Sequence, residues 1–203
     1  MLQGGCDATP VVSVLPQLRA LTKLALQGVH LTSFPIPRHL WHLELFEVTF
    51  SDTAIEALAA FLASSPKLVH LDLSYAPLPD PHANKVFGAL PQWLSRRGAA
   101  CDVRVAVKSD ACADAFATAL AQTRNSHKVT IVIASAGLSL AAKKQLVAAL
   151  ALTSRIALEF VGTSPAEEKA ALEAYGREHH LYGKQDPRGA RSVGFHSPYT
   201  AAR

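Results

Sequence analysis

One leucine pattern recurs near the start of the chain and decides how the chain folds. Segments 21–31, 40–50 and 68–78 read LTKLALQGVHL, LWHLELFEVTF and LVHLDLSYAPL, which share the form LxxLxL followed by a short tail. Looser copies follow as CDVRVAV at 101–107, VTIVIASAGL at 129–138 and IALEF at 156–160. The alternation of apolar and other residues in each copy predicts a β-strand with one buried face.

The intervals between copies indicate what connects the strands. Leu43 and Leu71 are 28 residues apart, and the later intervals run from 27 to 32 residues, which leaves room for one helix per unit. The first interval, from Leu24 to Leu43, is only 19 residues. Its middle, 32–38, holds two prolines. We expect an extended crossing there rather than a helix.

Between the later copies, apolar residues recur three or four positions apart, which is typical of amphipathic helices. The predicted helix starts are Ser51-Asp52, His82, Asp110, Ser139 and Ser164-Pro165. Ser and Asp at such positions cap the free N–H groups of the first turn. The apolar stretch 138–152 is interrupted by Lys143, Lys144 and Gln145. It is interpreted as an amphipathic surface helix and not as a membrane span.

These residues resemble the leucine-rich-repeat family, and the ~28-residue strand–helix unit is similar to its ribonuclease-inhibitor-like subclass. The resemblance implies an α/β solenoid of about five to six repeats, with a parallel sheet on the concave face and helices on the convex face. We predict a lead-in over 1–17 and the solenoid over 18–180. Segment 181–203 is predicted to be a flexible tail or a cover that folds back over the last repeat with Phe195 and Tyr199.

One position departs from the family pattern. The resemblance implies Asn or Cys just after each strand, where that side chain bonds neighbouring turns. This chain has apolar residues there instead: Val29, Val48, Ala76 and Ala136. The turns are therefore expected to use other hydrogen bonds.

Composition and motifs narrow the function. The net charge of +4 comes with no dense Lys/Arg run, so neither nucleic acid nor a membrane is a predicted partner. The three cysteines form no CxxC pair, and the chain start resembles no secretion signal, which predicts reduced thiols in the cytoplasm. Glycine-rich phosphate loops and nucleophile motifs are absent, so we predict no cofactor and no enzyme activity.

The residues between the leucines of each LxxLxL point to the other face of the sheet. The resemblance implies that this concave face binds a protein partner. The predicted patch combines aromatic, charged and histidine side chains: His42, Glu44, Phe46, His70, Asp72, Tyr75 and Arg104. Equal spacing predicts two lines across the sheet, His42–His70–Asp102 and Glu44–Asp72–Arg104. The alternative is that these side chains are simply solvated, with Arg104 paired to Asp72.

Other interpretations of the same residues are open. His42, Glu44, His70 and Asp72 carry possible zinc ligands, but a flat face does not enclose an ion, so no metal site is predicted. The chain could instead regulate an enzyme such as a GTPase or serve a ubiquitin ligase, with Arg96 or Arg97 as the acting arginine. An α/β enzyme would need a deep pocket with perturbed carboxylates. Neither end of the predicted solenoid has a strong cap. An end is therefore expected to contact the same end of a second copy or a different chain.

Overall fold

The fold is a mixed α/β arrangement with one large, mostly parallel sheet. The computed structural model describes residues 6–96, 100–124, 127–162, 165–184 and 192–197. Its strands are β1 (Cys6–Asp7), β2 (Lys23–Gln27), β3 (Val29–Leu31), β4 (His42–Phe46), β5 (Thr49–Phe50), β6 (His70–Leu73), β7 (Cys101–Ala106), β8 (Val129–Ala134), β9 (Ile156–Val161), β10 (Tyr182–Lys184) and β11 (Ser192–His196). Its helices are α1 (Thr9–Val12), α2 (Asp52–Ser64), α3 (Asp80–Ser95), α4 (Asp110–Gln122), α5 (Leu140–Ala151) and α6 (Ala166–Glu178).

The large sheet follows the order of the chain. Its eight strands lie in the order β10-β11-β9-β8-β7-β6-β4-β2, and every pair from β2 to β9 is parallel. Leu43 pairs with Leu71, Leu71 with Val103, and Val103 with Ile131. The leucine spacing of the sequence therefore becomes a row of aligned positions on neighbouring strands.

The core lies between this sheet and the helices. Helices α2 to α6 contact one another in sequence order, each packing on the next. Leu43, Leu71 and Ile131 are fully buried beneath them, as are the helix residues Leu58 and Leu146. Each strand–helix unit buries its apolar face against its neighbours, and the result is one continuous core.

The helix starts confirm most of the sequence signals. Ser51, Ser109 and Ser139 each accept a hydrogen bond from the backbone N–H three residues on, as helix caps do. Helix α3 begins at Asp80 and not at His82, because Pro81 fits the first helical turn, where no N–H partner is required. The predicted cap Ser164 lies outside the described residues. Segment 32–38 has no helix, as expected.

The turns are bonded without the Asn or Cys of the family pattern. Val48 and Ala76 are buried, and the backbone N–H of Glu47 donates to the Tyr75 carbonyl at 3.3 Å. A second set of bonds joins neighbouring helix starts. Ser109 Oγ donates to Asp80 Oδ2 at 2.8 Å, and the Ser139 N–H donates to Asp110 Oδ1 at 3.0 Å. These bonds lower the pKa of both carboxyl groups and tie each unit to the next.

Two features were not predicted in detail. A small second sheet, β1-β3-β5, places the lead-in strand β1 beside β3. At the other end, β11 pairs antiparallel with β9, and Phe195 is buried. The described part of 181–203 thus folds back over β9, whereas Tyr199 lies outside the described residues. In the described ranges, no helix is long and apolar enough to cross a membrane.

Candidate functional site

The predicted patch lies on the face of the large sheet that points away from the helices, which we call the open face. Along β4 and β7, buried residues alternate with partly exposed ones, as a sheet with one packed face requires. The predicted lines are confirmed by the register: His42 pairs with His70 and His70 with Asp102. The second line is equally aligned and consists of Glu44, Asp72 and Arg104.

A histidine–aspartate contact forms the centre of the first line. His70 Nδ1 lies 3.1 Å from Asp102 Oδ2, and because a carboxylate can only accept, the ring proton sits on Nδ1. This hydrogen bond, aided by the charge of Arg104, holds the pKa of Asp102 below its ordinary value. The His42 ring lies beside that of His70, with 5.4 Å between ring centroids. The two imidazoles and the carboxylate therefore form one connected group.

Glu44 carries the second connection across the face. Its Oε1 accepts from Lys23 Nζ at 2.8 Å and lies 3.9 Å from His70 Nε2. The Lys23 hydrogen bond is the main reason that the pKa of Glu44 is lowered. Glu44 thus links Lys23 on the edge strand β2 to the His70–Asp102 pair on the inner strands.

The predicted Arg104–Asp72 pair is wrong. Arg104 Nε instead approaches Asp102 Oδ2, at 3.5 Å. Asp72 is turned toward the end of its own strand, where its Oδ1 accepts from the Ser74 N–H at 2.9 Å and from Ser74 Oγ at 2.6 Å. The local turn bond forms here in place of a cross-strand ion pair, because a short Asp side chain reaches the backbone N–H and the hydroxyl two residues on.

Two aromatic rings border this charged group at the carboxyl ends of the strands. Phe46 and Tyr75 lie 5.8 Å apart, measured between ring centroids, with a tilt of 31°. Tyr75 is 67% exposed although it contacts Phe46. Phe46 is half-buried, so the exposed Tyr75 ring is the part of the pair that offers apolar area and a hydroxyl to an incoming molecule.

The amino ends of the same strands border an open depression of about 430 Å³. Its lining includes His42, His70, Asp102, Lys128 and Thr130. A His–Asp pair can hold an imidazole ready to accept a proton at Nε2. Cys101 and Thr130 also line this depression.

The metal site and the acting arginine are the two other hypotheses that the sequence raised. Within the described ranges, no three His, Cys, Asp or Glu side chains are grouped closely enough to hold a metal ion. Arg96 lies over the Trp93 ring, 5.8 Å from its centroid, and its Nη1 donates to the Ser65 carbonyl. A guanidinium held this way points into its own fold rather than toward a partner. Arg97 lies outside the described residues.

The structure thus brings most of the predicted patch together. His42, Glu44 and His70 join one group, Phe46 and Tyr75 form a second, and Arg104 joins through Asp102. Asp72 occupies its predicted register but bonds to its own turn. Sequence reasoning left Lys23 and Asp102 out of the patch, although both lie at its aligned positions. No family model, curated protein or solved structure matches this chain.

Proposed function

We propose that the chain is a leucine-rich-repeat-like solenoid that binds another protein through the open face, without catalysing a reaction. The observation that carries this proposal is the exposed Tyr75 ring against the half-buried Phe46 ring, beside a connected set of charged side chains. Aromatic residues and arginine dominate the binding energy of protein interfaces. The strand order and the aligned leucine rows support the solenoid part of the proposal.

The arrangement of the open face favours a partner that inserts an apolar group between charged neighbours. The aromatic pair supplies an apolar contact area at one edge. The group from Lys23 to Arg104 holds its charges in fixed positions before any partner arrives. A preorganised charged surface loses little side-chain entropy on binding and selects partners with complementary charge. Cys101 and Cys112 are buried and form no disulfide, which suits a reducing compartment.

The test is affinity capture from the native cell with the full chain as bait. The Phe46→Ala/Tyr75→Ala variant should bind the specific partner about 30-fold more weakly, since truncating an aromatic hot spot costs about 2 kcal/mol. Tyr182→Ala is the matched control, because Tyr182 is 66% exposed on the distant strand β10. It should retain the partner as the wild type does.

Folding must be checked separately. Replacing the exposed Tyr75 should change the free energy of unfolding by less than about 0.5 kcal/mol. If the double variant melts like the wild type and still captures the same proteins in the same amounts, the open face is not the binding surface. If capture fails equally for Tyr182→Ala, the surface lies elsewhere on the chain.

A further inference from the structure

The two edges of the large sheet are finished differently. At one edge, β11 covers β9, and the outermost strand β10 has only three residues. At the other edge lies β2, with five residues and no further strand beside it among the described residues. Very short edge strands, prolines, bulges and charges are the usual means of preventing edge pairing. The edge at β10 uses the first of these.

Strand β2 has none of these protections in effect. Its sequence is KLALQ, with no proline. Its one charged residue, Lys23, is already engaged, because its Nζ lies 2.8 Å from Glu44 Oε1 on the neighbouring strand. The edge therefore presents a regular strand with its charge directed inward across the sheet.

The free groups on this edge can be identified from the ladder. The Thr22 carbonyl accepts from the His42 N–H at 3.1 Å, and the Gly28 N–H donates to the Phe46 carbonyl at 2.9 Å. In a parallel ladder, residues of one parity bond to one neighbour. The even-numbered residues thus bond to β4, and the N–H and C=O groups of Lys23, Ala25 and Gln27 face outward from the edge.

The surface next to this edge is largely apolar, with Asp7 and Arg19 exposed at its two ends. Strand β1 lies on the outer side of β3, so the segment that follows it lies at the same end of the molecule. That segment leaves Val11, Val14 and Leu18 exposed, and positions 8–18 contain no Asp, Glu, Lys or Arg. Exposed apolar surface at an open edge is typical of a covered interface. A segment without charged side chains can face its own counterpart in a second copy without repulsion.

We propose that β2 pairs antiparallel with β2 of a second copy of this chain, around a two-fold axis beside Ala25. Such an interface uses the same patch on both copies. Centred on Ala25, the register pairs Ala25 with its own counterpart and Lys23 with Gln27 of the second copy. The pairs formed by residues 23, 25 and 27 are then hydrogen-bonded pairs, with Cα atoms about 5.5 Å apart. No like charges lie opposite each other. The small Ala25 side chain leaves the axis free of steric conflict.

The proposal is tested by the mass of the full chain in solution, with reductant present because Cys6 is exposed. The wild type should have twice the chain mass of 21.7 kDa. Ala25→Lys and Ala25→Glu should each reduce this to the single-chain mass, because each places two like charges at the axis. An equimolar mixture of the two variants should recover the double mass. Ala134→Lys adds the same charge at an inner strand of the open face and should leave the double mass unchanged.

Amide hydrogen exchange locates the contact. The outward amides of Ala25 and Gln27 should become protected as the protein concentration rises. The amides of Leu24 and Leu26, which bond to β4, should be protected at every concentration. A wild type that stays monomeric up to about 1 mM overturns the proposal. So does a dimer that persists in both Ala25 variants, or a mixture that fails to recover it. The capture experiment changes Phe46 and Tyr75, whereas this one changes Ala25 and measures mass, so either proposal can fail while the other holds.

Discussion

The two halves of the large sheet share a core but differ in the polar groups that they place on the open face. On β4, β6 and β7, the open face carries histidines, carboxylates and an arginine. On β8 and β9, it carries mostly small or apolar residues such as Thr130, Val132 and Ala134. The helix layer carries ion pairs in both halves. The pair that joins α2 and α3 is exposed, whereas in the pair that joins α5 and α6 the lysine is buried and the glutamate is partly buried.

The apolar repeat therefore fixes which residues form the core, while the residues of the open face can differ from strand to strand. The buried rows continue unchanged from Leu71 through Val103 to Ile131. The residues between them do not affect how the strands align. The first half can therefore carry a recognition surface, while the second half closes the fold with β11 and a buried ion pair.

The largest expected change in the free energy of unfolding comes from removing the lysine of the α5–α6 ion pair, compared with removing the lysine of the exposed α2–α3 pair. Lys143 Nζ lies 2.6 Å from Glu168 Oε1, and the lysine side chain is 5% exposed. Lys143→Met keeps the apolar stem but leaves a poorly solvated carboxylate, which should reduce the free energy of unfolding by about 3–5 kcal/mol. Lys85→Met removes the matched pair with Glu56, where the lysine is 39% exposed, and should cost about 0.2–1 kcal/mol. Urea unfolding measures both, and equal losses would contradict the contrast.

A smaller effect tests how tightly the second half is closed. A Cβ added at Gly176 in α6 would lie 2.4 Å from Phe195 Cε1, so Gly176→Ala should cost about 1–3 kcal/mol through overpacking. Gly88 in α3 has no atom within 4 Å of its added Cβ. Gly88→Ala should therefore stabilise the chain by about 0.5–1 kcal/mol through helix propensity. Thermal unfolding should show a lower melting temperature for Gly176→Ala and a higher one for Gly88→Ala. A higher melting temperature for both variants would show that β11 does not pack on α6.

The smallest effect concerns acid and the charged group of the first half. The folded state lowers the pKa values of Asp102 and Glu44, so it binds fewer protons than the unfolded chain. The stabilisation is complete above the unfolded pKa of about 4 and is lost as the pH falls through the lower folded values. At pH 7, Asp102→Asn should cost about 0.2–1 kcal/mol, because the pair with His70 is partly exposed.

The difference between wild type and Asp102→Asn should then shrink toward zero as the pH falls below the folded pKa. Urea unfolding at a series of pH values measures it. A difference that stays constant from neutral to acid pH would mean that Asp102 acts through shape and not through charge.

Several features of the fold follow from particular residues. The spacing of Leu43 and Leu71 predicts their pairing, and Ser51 and Ser139 predict helix starts that the structure confirms. Lys143 shows where spacing alone is not enough. Its spacing places it on the inner face of an amphipathic helix with Leu146, and the structure buries it there. Only the neighbouring helix, with Glu168, makes a buried lysine tolerable there.

The candidate site divides in the same way. Equal spacing aligned Glu44, Asp72 and Arg104, because strand register follows from which face each residue must bury. Their side-chain contacts could not be predicted from this alignment. Asp72 is close both to Ser74, two residues along the chain, and to Arg104, on the neighbouring strand. The choice depends on side-chain rotamers that sequence spacing does not specify.

By itself, the sequence determined the parallel strands, their order and their register, because recurring apolar residues can be buried only by stacking one unit on the next. Tertiary structure alone decided which side-chain atoms meet, as in the His70–Asp102 and Lys143–Glu168 pairs. It also decided that β11 pairs with β9. These contacts join residues distant in the chain, and each depends on angstrom-scale placement that no local pattern encodes.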